Sequence, residues 1–330
     1  MKYYKVSQNK HKITCLLCKH YCQLTNNQVG ACGVNQNVNG ELKNLVYGYP
    51  VALNIDPIEK KPLYHFLPGS LALSFGTVGC NFKCPFCQNW NISQTHDINK
   101  NIKVSPNEMV ELAFEHNCKS IAYTYNEPTI FYPYAKDIGL IAKERGLKNI
   151  FVSNGFETQE IIKDMPNWLD AANIDLKSWD EKYYKKILKG GLEAVKDTLR
   201  LMAHEGIWIE VTTLLIEGKN DGNGQLEEMA EFIAGELGDF VPWHLSAFHP
   251  DYKMKDHNTT ELKTLQRAYA IAKKAGLHYV YLGNVAVSGD TYCPNCAKLL
   301  IDRTGYSVAV NNITQGRCPN CNTIIEGVWE

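Results

Sequence analysis

From residue 70 onward, short apolar runs alternate with longer amphipathic ones, and this alternation limits the fold more than any other feature. The strand candidates are LALSFG (71–76), SIAYTY (120–125), NIFVSN (149–154), AANIDLK (171–177), WIEVTTLLI (208–216), HLSAFH (244–249) and HYVYLG (278–283). They are rich in Val, Ile, Tyr, Phe and Thr, the side chains that suit a pleated surface. Helical patterns lie between them. Ser105, Pro106 and Glu108 form an N-cap, a first-turn proline and a capping box for a helix reaching Cys118. Helices over 134–145, 192–205 and 261–275 each stop at a glycine, Gly146, Gly206 and Gly276, where a left-handed C-cap is wanted. Repeated strand–helix–strand units predict a parallel α/β sheet, either doubly wound or a whole or partial barrel. Both folds put working residues at the C-terminal ends of the strands.

Those ends are loaded with polar residues. The first strand runs into GCNFKCPFCQN, with Cys80, Cys84 and Cys87. The second ends in Asn126 and Glu127, the third in Ser153 and Asn154, and the fourth in Asp175 and Lys177. The fifth carries Thr212 and Thr213, and the sixth ends at His249. Any one of them alone reads as a cap or a solvated loop residue. Consecutive strand ends converging in this way on one face predict an active site.

Length and charge narrow the class. The chain has 330 residues, 45% hydrophobic, with 34 basic and 35 acidic side chains. A net charge of −1 argues against a nucleic-acid partner held by bulk electrostatics. The polar start MKYYKVSQNKHK carries no signal-peptide h-region, and no apolar run is long enough to span a bilayer. The chain is expected in the cytoplasm, without a membrane partner. In that reducing setting 12 cysteines call for metal rather than disulfides.

Three closely spaced thiolates can bind three irons of a 4Fe–4S cube and leave the fourth iron open, as catalytic zinc sites leave a position open. A molecule with an amine and a carboxylate, such as S-adenosylmethionine, can chelate that iron, and an electron from the cluster can cleave its sulfonium bond. The competing readings are a three-cysteine zinc site completed by His96, or a redox pair with a spare thiol.

The motif C-x-x-x-C-x-F-C resembles the signature of the radical S-adenosylmethionine superfamily. The resemblance implies that Cys80, Cys84 and Cys87 bind the cluster and that Phe86 contacts the adenine. YTYNEPT resembles the family's glycine–glycine–glutamate stretch, with Tyr125 and Asn126 in place of the glycines and Glu127 retaining the acid. SNGF, NIDLK and VTTLLIEGKND resemble successive strands of the pyruvate formate-lyase activating enzyme group. By position the resemblance assigns Asn126, Glu127, Asn154, Asp175, Lys177 and His249 to the S-adenosylmethionine pocket. It implies a partial (β/α)6 TIM-like barrel over 66–288, with Cys-rich metal-binding appendages at 1–65 and 289–330. The outer cysteine groups make the whole chain similar to the radical enzyme of the AmmeMemoRadiSam system, a group named for neighbouring genes.

Cys293, Cys296, Cys318 and Cys321, in two CPNC knuckles, have the spacing of a zinc ribbon. Cys15, Cys18, Cys22 and Cys32 can close a zinc site or hold an auxiliary iron–sulfur cluster, with zinc preferred and His20 as a substitute ligand. Cys118 reads as a small buried apolar residue. The expected function is reductive cleavage of S-adenosylmethionine to a 5′-deoxyadenosyl radical that abstracts hydrogen from a protein or small-molecule substrate. A reductant such as flavodoxin or ferredoxin is the implied partner. The alternatives are an activase for a glycyl-radical enzyme, an enzyme generating a different S-adenosylmethionine-derived radical, and a zinc-binding interaction module without catalysis.

Overall fold

The computed structural model of the chain describes residues 2–7, 12–100 and 102–330. Its centre is one eight-stranded sheet: β1 (Ala52–Pro57), β2 (Leu71–Gly76), β3 (Ser120–Tyr123), β4 (Lys148–Ser153), β5 (Ala171–Asp175), β6 (Trp208–Leu215), β7 (Trp243–Ala247) and β8 (Val280–Gly283). The strands lie side by side in chain order. β2 to β8 are all parallel, and β1 runs antiparallel along the edge of β2, from Ala52 opposite Gly76 to Pro57 opposite Leu71. The first and last strands do not pair, so the barrel is open. All seven strand candidates form parallel strands, one beyond the six of the family core.

Parallel strands need long crossovers. These are α1 (Pro106–Glu115), α2 (Tyr132–Glu144), α3 (Leu192–His204), α4 (Asn223–Phe232) and α5 (Leu262–Lys274), while only the short helix Gln159–Ile162 and a 3₁₀ turn join β4 to β5. The expected capping box is formed: the Glu108 N–H donates to Ser105 Oγ, and the Ser105 N–H to Glu108 Oε2. Gly146, Gly206 and Gly276 take φ of +83°, +77° and +99°, as C-caps should. Between sheet and helices lies an aromatic core, where Tyr123, Phe151 and Tyr132 set their rings 5.5–5.6 Å edge-on to Trp168.

Two small modules dock on this core. The first has the antiparallel strands Tyr4–Val6, Ile13–Cys15 and Gln23–Leu24, followed by the hairpin Asn35–Val38/Glu41–Asn44. The last has the three antiparallel strands Thr291–Tyr292, Leu299–Thr304 and Ser307–Asn311. No helix among the described residues is long and apolar enough to cross a membrane.

Candidate active site

A cavity of about 720 Å³ opens at the C-terminal ends of the parallel strands. Cys80, Cys84, Cys87, Phe86, Asn126, Asn154, Asp175 and Lys177 all line it. One face of each strand supplies the walls, because side chains alternate along a strand. β6 contributes Thr212 and Leu214, and β7 contributes His244 and Ser246.

The cysteine loop leaves β2 and is braced by the next strand end. Asn126 Nδ2 donates to Thr77 Oγ1 (3.1 Å) and the Gly79 carbonyl (2.9 Å), and its Oδ1 accepts from the Thr77 N–H (3.2 Å). Tyr125 holds φ of +68°, a left-handed conformation in which a glycine is unstrained. This explains the glycine of the family pattern. Tyr125 stays there because its hydroxyl donates to Asp56 (2.7 Å) and Lys61 Nζ sits 4.8 Å from its ring centre.

Charge is arranged around the thiols. Burial pushes Cys80 well up and Cys84 to about 12, while the nearby Lys177 ammonium partly counteracts the shift at Cys84. Bare thiolates are therefore costly here, and bound iron would supply the positive charge that stabilises them. Although burial disfavours its charge, Lys177 is held protonated by Asp175, 2.6 Å away, and by Cys84. Lys177 also lies 5.9 Å from the centre of the Phe86 ring.

Glu127 faces away from the cavity, into the wall. It is fully buried and accepts from the N–H groups of Thr129 (3.0 Å) and Asn154 (2.8 Å) and from both the Thr129 and Ser153 hydroxyls. Its neighbour Glu157 shares those two hydroxyls. Burial and the Glu157 charge push Glu127 up to about 7. Glu127 thus orients Asn154 rather than presenting an open acid. His249 is exposed and does not line the cavity. His96 lies against Gly33, where an added Cβ would fall 2.1 Å from its Nδ1.

The sequence reading missed a buried histidine–carboxylate pair. His244 Nε2 meets Glu210 Oε2 at 2.6 Å, and Glu210 also accepts from the N–H groups of Tyr64 (2.9 Å) and His65 (2.8 Å). Burial raises Glu210, but His244 and those donors outweigh it and lower its pKa. The signal was a lone glutamate inside the apolar run WIEVTTLLI, since a buried carboxylate must be paired.

The polar groups of the cavity fit a bound cofactor. Asn154 Oδ1 and Thr212 Oγ1 are buried without a hydrogen-bond partner, and both residues line the cavity that holds the three thiols. A polar ligand would satisfy them.

The C-terminal quartet forms a different kind of site. Cys293, Cys296, Cys318 and Cys321 bring their sulfurs within 4.8 Å of one another, the only such group of three or more candidate metal ligands among the described residues. Cys293 and Cys321 are 3.5 Å apart, Cys296 and Cys318 3.7 Å. Zn–S bonds of about 2.3 Å in a tetrahedron separate sulfurs by about 3.8 Å. The group has the size of a single zinc.

Comparison with known proteins agrees with this geometry. The sequence profile of the Radical SAM superfamily matches residues 75–233. An uncharacterized protein of Methanocaldococcus jannaschii is 41% identical over 99% of this chain and 98% of its own length. Another protein of that organism, named as a glycyl-radical enzyme activating enzyme, is 26% identical over 63% of this chain and 85% of its own. The crystal structure of Streptococcus suis SuiB bound to S-adenosylmethionine is similar in fold, with a TM-score of 0.53 at 12% identity, covering 69% of this chain and 53% of that one.

Proposed function

The chain belongs to the radical SAM superfamily, and from that membership we propose that it reductively cleaves S-adenosylmethionine and uses the resulting radical to abstract hydrogen from a substrate held in the strand-end cavity. The supporting observation is the convergence of Cys80, Cys84 and Cys87 with Asn154, Asp175 and Lys177 on that one cavity. When bound, a 4Fe–4S cluster on the three thiols supplies the electron that converts S-adenosylmethionine to methionine and a 5′-deoxyadenosyl radical. The chain's own residues bind and orient. Lys177 balances negative charge beside Cys84, and Phe86 offers an aromatic face next to that cation. Asn154, fixed by Glu127, and Thr212 offer unpaired polar atoms to the ligand. A zinc held by the C-terminal quartet would fasten the wall formed by Gly289, Gly305 and Tyr306. Flavodoxin or ferredoxin is the proposed class of reductant.

The test is anaerobic incubation with dithionite and S-adenosylmethionine. We expect 5′-deoxyadenosine from the native chain and none from Cys84→Ala. Zinc in stoichiometric amount without acid-labile sulfide would reject the enzyme in favour of an interaction module. The named activating enzyme among the relatives favours a second reading, transfer of the radical to a protein glycine. An organic-radical signal on an added glycyl-radical enzyme would support it.

A further inference from the structure

We infer that Cys15, Cys18, Cys22 and Cys32 hold a second four-iron cluster, set beside the first across Asn81, as the entry point for its electrons. The inference rests on the reading that Cys80, Cys84 and Cys87 hold the first. It reverses the preference for zinc that spacing alone gives.

Size is the first argument. The four thiols form one group, since Cys32 is close enough to Cys15, Cys18 and Cys22 for each to feel its charge. Their sulfurs nevertheless do not gather within 4.8 Å of one another, as the four C-terminal sulfurs do. A single ion cannot reach ligands so spread without contracting the loops. A four-iron cube carries its thiolates on outward corners and needs the wider spacing.

Donors are the second argument. The Ala31 N–H points at Cys22 Sγ (3.4 Å), and Asn35 Nδ2 at Cys32 Sγ (3.4 Å). Asn35 is itself fixed by donating to the Ile130 carbonyl (2.8 Å). N–H donors on the sulfurs stabilise and tune an iron–sulfur cluster.

Position is the third. The two cysteine loops touch: Gly79, at φ +88°, approaches so closely that a Cβ there would fall 2.7 Å from the Cys32 carbonyl. Asn81 lies between them, 2% exposed. Its Oδ1 is 3.8 Å from Cys80 Sγ, and on its other side Asn81 neighbours Cys18. Asn81 Nδ2 is buried with no hydrogen-bond partner, an orphan donor that a negatively charged cluster would satisfy. A purely structural zinc gains nothing from this placement. On the outer side Cys22 is only half-buried, whereas Cys15, Cys18 and Cys32 are buried. One end of the quartet therefore meets a surface partner and the other meets Asn81. A flavodoxin- or ferredoxin-type protein gives up one electron, the outer cluster goes from 2+ to 1+, and passing the electron inward returns it to 2+. No bond or proton changes hands.

The experiment uses the full chain, reconstituted anaerobically with iron and sulfide, with iron, sulfide and zinc counted and reduced samples examined by electron paramagnetic resonance. We expect about eight irons and eight sulfides per chain, two cubes' worth, besides one zinc. Cys22→Ala should lose about four irons, and so should the triple variant Cys80→Ala/Cys84→Ala/Cys87→Ala. Added S-adenosylmethionine should shift the signal of the first variant and leave that of the triple variant unmoved. In the native chain, coupling between the two reduced clusters should broaden the spectrum beyond the sum of the variants. About four irons with two zincs in the native chain overturns the inference while the proposed function stands. Eight irons without broadening overturns the relay. Irons that survive only in the triple variant overturn the proposed function and leave the quartet's cluster in place.

Discussion

Arg303 comes from the second strand of the C-terminal ribbon and is completely buried against the core. It donates to the carbonyls of Tyr64 (2.6 Å) and Gly289 (3.1 Å) and to Thr291 Oγ1 (2.7 Å), and its guanidinium lies 4.5 Å over the Tyr64 ring. Glu59, also buried, faces it at 3.7 Å and accepts from the Gly69 N–H (2.9 Å). Tyr64, Glu59 and Gly289 all line the cavity, so this one side chain ties the ribbon to the active-site wall. Arg303→Leu keeps the bulk but leaves a buried carboxylate and two carbonyls without their cation. Removing one partner of a buried pair costs about 3–5 kcal/mol.

The loss should depend on pH, with a sign the structure fixes. Burial raises the Glu59 pKa, and the Gly69 N–H and Arg303 hold it down. Without Arg303 it rises further. A carboxyl whose folded pKa lies above its unfolded value keeps its proton in the native state after the unfolded chain has released it, so stability falls as pH rises through that range. Below it the variant loses only the orphaned carbonyls, about 1–3 kcal/mol, and above it the full amount. The assay is urea unfolding at about pH 5.5 and about pH 8, followed by tryptophan fluorescence. Trp329, whose ring lies 5.3 Å from His65, reports the docked ribbon. Adding Glu59→Gln should restore the alkaline part. Equal losses at both pH values, or a loss below about 1 kcal/mol, refute the reasoning.

Three further outcomes are expected. Gly190→Ala puts a Cβ 2.2 Å from Phe82 Cζ, and Phe82 is packed against Phe156 between two cysteines of the loop. Overpacking of about 1–3 kcal/mol should loosen that loop, measured as reduced iron retention after gel filtration. Lys177→Met removes the cation beside Cys84 and Asp175, so iron should pass to a chelator faster than from the native chain. Chelating the zinc proposed for the C-terminal quartet, worth about 10–16 kcal/mol where a structural zinc folds a small module, should expose residues beyond 289 to proteolysis while the parallel sheet keeps its circular-dichroism signal.

The parallel strands were legible because a strand buried on both faces is a continuous apolar run. LALSFG matches β2 end to end, and the other six candidates overlap their strands closely. β1 was not among them. ALNIDP mixes Asn54 and Asp56 with Leu53, which is 42% exposed at the sheet edge, so neither period nor composition marks it. α4 also went unassigned, although Leu226, Met229 and Ala230 form its buried side. In the site, the three cysteines, Asn126, Asn154, Asp175 and Lys177 could be placed from strand ends alone, and Phe86 from the family resemblance. Glu127 and His249 could not, because which way a loop side chain turns depends on donors elsewhere in the fold. For Glu127 these are Ser153 and the Asn154 N–H, 26 and 27 residues away.

The outer cysteine groups separate what spacing can tell from what it cannot. Cys15-x2-Cys18 and Cys293-x2-Cys296 look alike in sequence, since a short turn can point two thiols at one metal. The metal's size is decided by how closely the partner segments approach. In the ribbon, Cys318 and Cys321 sit on a knuckle closed by the Cys318 N–H donating to the Thr323 carbonyl and by the Asn322 N–H donating to that of Cys318. The paired knuckles bring the four sulfurs to zinc spacing. In the N-terminal module the position of Cys32 is set by the core. Asn35 is pinned to Ile130, and Gly79 presses against the Cys32 carbonyl. On the inference drawn above, a module held against the Cys80 loop by these contacts would have to pull away from it to contract around one ion. Cys18, placed by its bridge to Glu157, neighbours Asn81, and Asn81 in turn approaches Cys80.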